Sequence, residues 1–290
     1  MTASGSAPGK LILSGEHAVV YGFRAVAAAV SLRTTVTLRE RVGPSGIDES
    51  DIRDDRLWPA LATVVPPEGV GVTITSELPV GCGMGSSAAL AIATLRAMAA
   101  REGRDVGYDE LFERAFAIER VFHGTPSGID HAVSALDAVV VYRKGSPPEP
   151  ISLPAPVRLV VADTGSPGDT AKMVAGVRER NPRAALRRIG AVAEMVAARL
   201  QRGEDPGPLF HENQRLLRAI GVSTPALDHV CAVMEAAGSS GAKLAGAGGG
   251  GVAVAVVTEA NVSAVRAAAA QAGCRVFEVV VGGGPSPEVP

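Results

Sequence analysis

The stretch PVGCGMGSSAALAIA, residues 79–93, runs from a glycine-studded turn straight into an apolar, alanine-rich helix. Gly81, Gly83 and Gly85 let the backbone take positive φ and come close to a ligand, and Ser86 or Ser87 is placed to cap a helix whose first N–H groups have no internal partner. An anion lodged there meets those donors and the positive end of the helix dipole. A glycine turn before a core helix has the same spelling, so the loop alone does not choose between an anion cradle and a plain turn.

Two familiar phosphate loops are excluded. The loop lacks the lysine and adjoining Ser or Thr of a P-loop, and the nearest Gly-Lys pair, Gly9 and Lys10, is followed by Leu11. The dinucleotide fingerprint fails because the glycines run GxGxG, and the helix expected over 86–101 is followed by helical sequence, LFERAFAIER (111–120), where a second strand is needed.

The bulk numbers set the frame. A chain of 290 residues with 47% hydrophobic content and a net charge of −2 can bury a substantial core and is expected to form one unit of two domains. Basic residues are dispersed, with modest patches at Arg33, Arg39, Arg41, Arg183, Arg187 and Arg188. Aromatics make up 3%, too few for a base-stacking platform, so no nucleic-acid partner is expected. MTASGSAPGK has no charged segment leading into an apolar one, and no apolar run approaches about 18 residues, so the expectation is a cytoplasmic protein without a membrane partner. Cys82, Cys231 and Cys274 have neither metal-ligand spacing nor an even count. Cys231 and Cys274 read as small hydrophobes, and Cys82 as a loop filler or, less simply, a nucleophile.

Periodicity predicts strands near 11–15, 26–40, 70–78 and 137–143 and helices over 86–101 and 109–122, with 43–56 as an exposed excursion. A proline-rich bridge, GSPPEPISLPAP (145–156), marks a domain boundary, giving domains 1–153 and 154–290. The second half predicts a strand at 157–165, helices near 168–180, 183–202, 207–220 and 225–237, the strands AKLA and VAVAVV, a helix at 260–272 and a last strand at 276–281. Two strand–helix–strand passages with a helical insertion suggest a small sandwich of helices on a sheet.

Further clusters would turn a phosphate loop into a reaction. In APGKLILSGEHAVVYG (7–22), Lys10 leads into an apolar strand and Glu16 and His17 follow it, so all three can face a cleft at strand ends; a solvated lysine and a structural histidine are the plain alternatives. Before AIERVFHGTPSGIDHAVS (117–134), a helix carries Phe112, Phe116, Glu119 and His123 on one stripe. A carboxylate beside two phenylalanines needs a partner: Mg²⁺, shared with the hydroxyl of Ser86 or Ser87, or an ion pair with Arg120, Arg114 or Lys10. Asp130, after the turn Thr125-Pro126-Ser127-Gly128, is either a helix cap or the group that accepts a hydroxyl proton and holds that hydroxyl in line for phosphoryl transfer. DTGSPGDTAKMV (163–174) puts Asp163, Thr164, Ser166 and Thr170 at a strand end, suited to a small polar substrate or to a turn with a threonine cap. The glycines Gly246 and Gly248–Gly251 exceed what a hairpin needs, so that loop either approaches a backbone or ligand closely or is a flexible turn.

PGKLILSGEHAVVYG, PVGCGMGSSAALAIA and KLAGAGGGG resemble, in order, the three motifs of the GHMP kinases, the superfamily named for galactokinase, homoserine kinase, mevalonate kinase and phosphomevalonate kinase. Together they span nearly the whole chain. Within the superfamily, GEHAVVYG, ERVFHGTPSGID and DTGSPGDTAKMV resemble the mevalonate kinase family, whereas galactokinases share only GEH. The resemblance implies an α+β fold, with a ribosomal-S5-like N-terminal domain, a ferredoxin-like C-terminal domain carrying a helical insertion, and ATP and substrate between them. It implies Asp130 as the catalytic aspartate with Lys10 as its charged neighbour. Gly81, Gly83, Met84, Gly85, Ser86, Ser87 and Ala88 would form the ATP phosphate loop, and Glu119 with Ser87 (or Ser86) would hold Mg²⁺. Glu16, His17, Thr170 and Gly248 would border the mevalonate pocket. The implied reaction is transfer of the ATP γ-phosphoryl group to the 5-hydroxyl of (R)-mevalonate, and the implied assembly a homodimer. Ala245 departs from the Thr or Ser usual in the third motif, which bears on substrate positioning, and the length resembles compact prokaryotic forms. A sister enzyme with another acceptor (phosphomevalonate kinase, mevalonate 3-kinase or diphosphomevalonate decarboxylase) and a non-catalytic ATP-binding regulator are the alternatives at this level.

Overall fold

The computed structural model describes residues 2–79, 81–123 (backbone alone for His123) and 128–283. Residues 124–127, which include Thr125, Pro126 and Ser127 of the turn expected above, and the side chain of His123 lie outside the described residues. The chain divides into two compact units that interleave in sequence: 1–10, 29–80 and 84–137 form the first, and 11–28, 81–83 and 138–290 the second.

The first unit takes the start of β1 (Thr2–Ser14) and most of β2 (Ala25–Pro44), followed by β3 (Gly46–Ser50), α1 (Leu57–Leu61), β4 (Glu68–Ser76), α2 (Ser86–Arg101), α3 (Tyr108–His123) and α4 (Ile129–Leu136). β4 lies antiparallel to β2, with Thr34 opposite Ser76 and Leu38 opposite Val72. The period of two puts Val36, Leu38, Val70, Val72 and Ile74 on the buried face. β3 pairs parallel to β4 inside the segment expected to be an excursion. It escaped the periodicity because an edge strand is held by its backbone and needs no alternating apolar side chains.

α2 is buried on nearly every side, from Ala88 through Leu95 and on to Ala99, and it packs against α3 and α4. Its alanines let β1 come close. A Cβ on Gly5 would overlap the backbone of Ala93 and Ala97, so the small residues of strand and helix are two halves of one contact.

The second unit contains β5 (Val139–Tyr142), β6 (Glu149–Ile151), β7 (Val157–Asp163), α5 (Thr170–Arg180), α6 (Arg183–Gln201), α7 (Gly207–Ala219), α8 (Pro225–Ala236), β8 (Ala242–Ala245), β9 (Val252–Val257), α9 (Val262–Gln271) and β10 (Arg275–Val281). The strands order as β10-β7-β9-β8, each pair antiparallel. A strand, helices, two strands, a helix and a strand in that order make the ferredoxin-like topology, with α5 to α8 filling the first crossover. Its core joins Val160, Val177, Leu186, Ile189, Leu217, Leu227, Met234, Leu244 and Val265.

The packing does not follow the single cut at 153/154 read from the prolines. β5 pairs with Ala25–Ala28 of β2 and with β6. That pairing carries both 138–153 and 11–28 into the second unit. Among the described residues no helix is long and apolar enough to cross a membrane.

Candidate active site

The glycine loop delivers α2 in an unexpected frame. Gly81, Gly83 and Gly85 take φ of 81°, 76° and 70°, and Gly85 itself is the N-cap, with no side-chain cap. Ser86 and Ser87 are therefore the first two helical residues and neither caps the helix. A cap must precede the first helical residue, and the left-handed turn at Gly85 takes that position. Behind the loop, the Lys10 N–H donates to the Met84 carbonyl at 2.9 Å. A Cβ on Gly85 would stand 2.9 Å from Lys10 Cγ.

Lys10 is not a solvated lysine. It sits inside β1 with its side chain 7% exposed, and its Nζ lies 3.2 Å from Asp130 Oδ1. Asp130 is the second residue of α4. The N-cap there is Gly128, at φ 85° with no side-chain bond, which removes the helix-cap reading of Asp130. In the first turn its charge is favoured by the helix dipole as well as by Lys10.

Glu119 is buried on α3, 3% exposed, with Oε2 3.6 Å from His131 Nε2. Arg114, one of the partners considered for it, pairs with Glu110 instead. His131 is fully buried between Phe112 and Phe116, whose ring centroids lie 6.1 and 4.5 Å away. The predicted stripe on α3 is real for Phe112, Phe116 and Glu119. What the sequence did not reveal is that His131, beside Asp130, closes it.

The second unit gathers a different set. Glu16 Oε1 accepts from Lys243, Glu16 Oε2 accepts from Asn213 Nδ2 at 2.9 Å, and Lys243 also donates to the Ile12 carbonyl at 3.1 Å. Lys243 Nζ lies 5.6 Å from the Phe210 ring centroid. Burial pulls the Lys243 ammonium below its usual range while Glu16 pulls it back. Both oxygens of Glu16 thus have partners within the chain. His17, at φ 59°, donates from Nε2 to the Ala247 carbonyl at 2.8 Å. Burial holds His17 below its ordinary 6.5, so the ring is neutral with Nδ1 left as an acceptor.

The third glycine motif approaches a backbone, which settles the alternative left open above. Gly248 is at φ 79°, and a Cβ there would strike the Val222 carbonyl. The Gly249 N–H donates to that same carbonyl at 2.8 Å, and the Gly251 N–H to the Ser166 carbonyl at 2.7 Å. Thr170 is the exposed first residue of α5, but the cap is Asp169, which accepts from the Lys172 N–H.

Cys82 donates to Asp163 Oδ2 at 2.9 Å, and Arg275 Nη2 reaches the same oxygen at 2.8 Å and Cys82 Sγ at 3.2 Å. Burial and the carboxylate push the thiol up to about 11, the direction opposite to the lowered value of an activated nucleophile. Arg275, Asn213 and Lys243 were not singled out from sequence. Lys243 alone left a signal, as a charge inside the otherwise apolar strand AKLA.

The described residues contain no cluster of three or more His, Cys, Asp or Glu arranged to hold a metal ion. The GHMP kinases N terminal domain family matches residues 55–138 and the GHMP kinases C terminal family matches 191–274. The chain is 36% identical to mevalonate kinase of Thermococcus sibiricus over 292 residues, covering 86% of this chain and 87% of that one. It is 37% identical over 268 residues to mevalonate kinase of Methanothermobacter thermautotrophicus, covering 86% and 88%. Among solved structures, the L. major mevalonate kinase in complex with R-mevalonate superposes with a TM-score of 0.87 at 26% identity, covering all of this chain and 98% of the other.

Proposed function

Because the chain belongs to the GHMP kinases, and within them to the mevalonate kinase family, we propose that it transfers the γ-phosphoryl group of ATP to the 5-hydroxyl of (R)-mevalonate. The products are 5-phosphomevalonate and ADP. It is an ATP-dependent kinase of the mevalonate route, and the observation that carries the chemistry is the Lys10–Asp130 pair behind the glycine loop.

Phosphoryl transfer leaves the protein little covalent work, so catalysis is positioning and charge. Holding acceptor and phosphate in line is worth about 7–11 kcal/mol of barrier. Asp130 orients the acceptor hydroxyl and takes its proton. Lys10 keeps that carboxylate in place and offsets charge as it develops on the phosphoryl oxygens. The backbone of Gly81, Gly83, Met84 and Gly85, with Ser86, Ser87 and Ala88 at the first turn of α2, supplies the N–H donors for the nucleotide phosphates.

Mg²⁺ fits the donor set: Glu119 is a buried carboxylate on α3, which packs against α2, where Ser87 offers a hydroxyl. Glu119 and Ser87 would hold the ion, and when bound it neutralises phosphate charge. His17, Thr170 and Gly248 are assigned to the acceptor side, with Glu16 acting through its hold on the turn that carries His17. The test is ADP release with (R)-mevalonate, 5-phosphomevalonate, galactose and homoserine offered separately, and phosphorus NMR of the product. A new phosphomonoester at C5 of mevalonate is expected; turnover of another acceptor with mevalonate inert would overturn the assignment.

A further inference from the structure

β1 and α4 are tied together by contacts that run in opposite order along the two elements. Lys10 meets Asp130 at 3.2 Å. Two residues back along the strand, the Pro8 carbonyl accepts from Ser134 Oγ at 2.9 Å. Two further back, the Ser6 carbonyl accepts from Arg96 Nη1 at 2.7 Å, and Arg96 Nη2 donates to the Ala135 carbonyl of α4 at 2.8 Å.

The spacings match. Two residues of strand advance about 6.6 Å, and four residues of helix advance about 6 Å, so Asp130 and Ser134, on one face of α4, meet positions 10 and 8 of β1 in step. The buried apolar residues of α4, Ile129, Ala132 and Val133, contribute a non-directional term that favours burial without specifying one alignment of polar groups along the strand. α4 is only 8 residues long, too short to hold its own geometry. A directional bond is needed to set its register. Ser134 is fully buried, and its acceptor belongs to a proline, whose carbonyl is the only hydrogen-bonding group of its backbone.

We propose that Ser134 is a positioning residue for phosphoryl transfer: its bond to the Pro8 carbonyl fixes α4 along β1 and thereby holds the Asp130 carboxylate in register with Lys10. Arg96 braces the far end of the same contact. The inference rests on the roles given above to Asp130 and Lys10, and it adds a residue that touches neither reactant.

Three substitutions at position 134 test it. Ser134→Ala removes the hydroxyl with little change of volume; Ser134→Thr and Ser134→Val add equal volume and differ only in whether a hydroxyl is present. Each is assayed for kcat and for the KM of both substrates well below its melting temperature, beside Asp130→Ala. The expected result is a fall in kcat of about 10- to 100-fold for Ala and Val, KM values within threefold of the parent, and recovery of most of the loss in Thr. A kcat within twofold of the parent in Ser134→Ala, a parallel loss of substrate affinity, or a Thr variant as slow as Val would each overturn the proposal. Should the larger side chains fail to fold, the Ala variant alone decides. If Asp130→Ala itself turns over normally, the broader reading of the site falls, a result separate from any outcome at Ser134.

Discussion

Lys10 spends its charge on Asp130 at a position where a lone ammonium, 7% exposed, would be costly. Asp130 keeps a third of its side chain exposed, which is what a group that must meet an incoming hydroxyl requires. Asp130→Ala is expected to lower kcat by about 10²- to 10⁴-fold while calorimetry finds ATP binding nearly unchanged; near-normal turnover would remove Asp130 from the mechanism. Glu16 and Lys243 make the opposite case, a fully buried pair with no exposed face. Removing either partner alone, as Glu16→Ala or Lys243→Ala, should cost about 3–5 kcal/mol in urea unfolding because the other charge is stranded. The double variant Glu16→Ala with Lys243→Ala should lose clearly less than the sum of those two single changes, and additivity within about 0.5 kcal/mol would show that the two do not act as a pair.

At the scale of an element, α2 is governed by its two ends. Gly85 opens it in the left-handed region with Lys10 immediately behind, and Gly103, just past its last turn, is also left-handed but has open space, with nothing within 4 Å of where a Cβ would stand. Alanine at either glycine should cost about 1–3 kcal/mol from backbone strain, read as a lowered melting temperature. Only Gly85→Ala should also depress kcat, since its methyl displaces Lys10. Equal kinetic effects from the two variants would mean that the contact with Lys10 is irrelevant. α4 belongs to the same scale: its frame is set by Gly128 at one end and by Asp137, also left-handed at φ 52°, at the other, and Asp137 is held by Arg33 at 2.8 Å.

For the molecule as a whole, ligand linkage is the direct readout. A nucleotide analogue with Mg²⁺ at one hundred times its Kd should raise stability by about 2.7 kcal/mol, seen as a shift in melting temperature. Excess chelator should abolish turnover, and added Mg²⁺ should restore it. In Glu119→Gln the Mg²⁺-dependent part of the thermal shift should shrink; an undiminished shift would take Glu119 out of the metal site. The interleaving of the two units means that such a shift reports on segments scattered through the chain and not on one half of it.

Most helices and strands were legible in the chain because they arise from local causes. α2 and α6 begin at the residues that periodicity predicts, and the glycine loops sit where positive φ is needed. The GHMP motifs were readable for the same reason, each being a short string of residues whose spacing carries its meaning, whereas the pairing of Lys10 with Asp130 and the role of Glu119 came only with the resemblance those strings carry. β3 was hidden because its pairing is made by backbone. The other partners of the site residues were not readable. Lys243 finds Glu16 across 227 residues, Arg275 finds Cys82 across 193, and Ser134 finds Pro8 across 126. Which strand lies beside which, and in what register, decides such contacts; no local spacing encodes them, so the folded chain alone could turn a list of polar residues into a site.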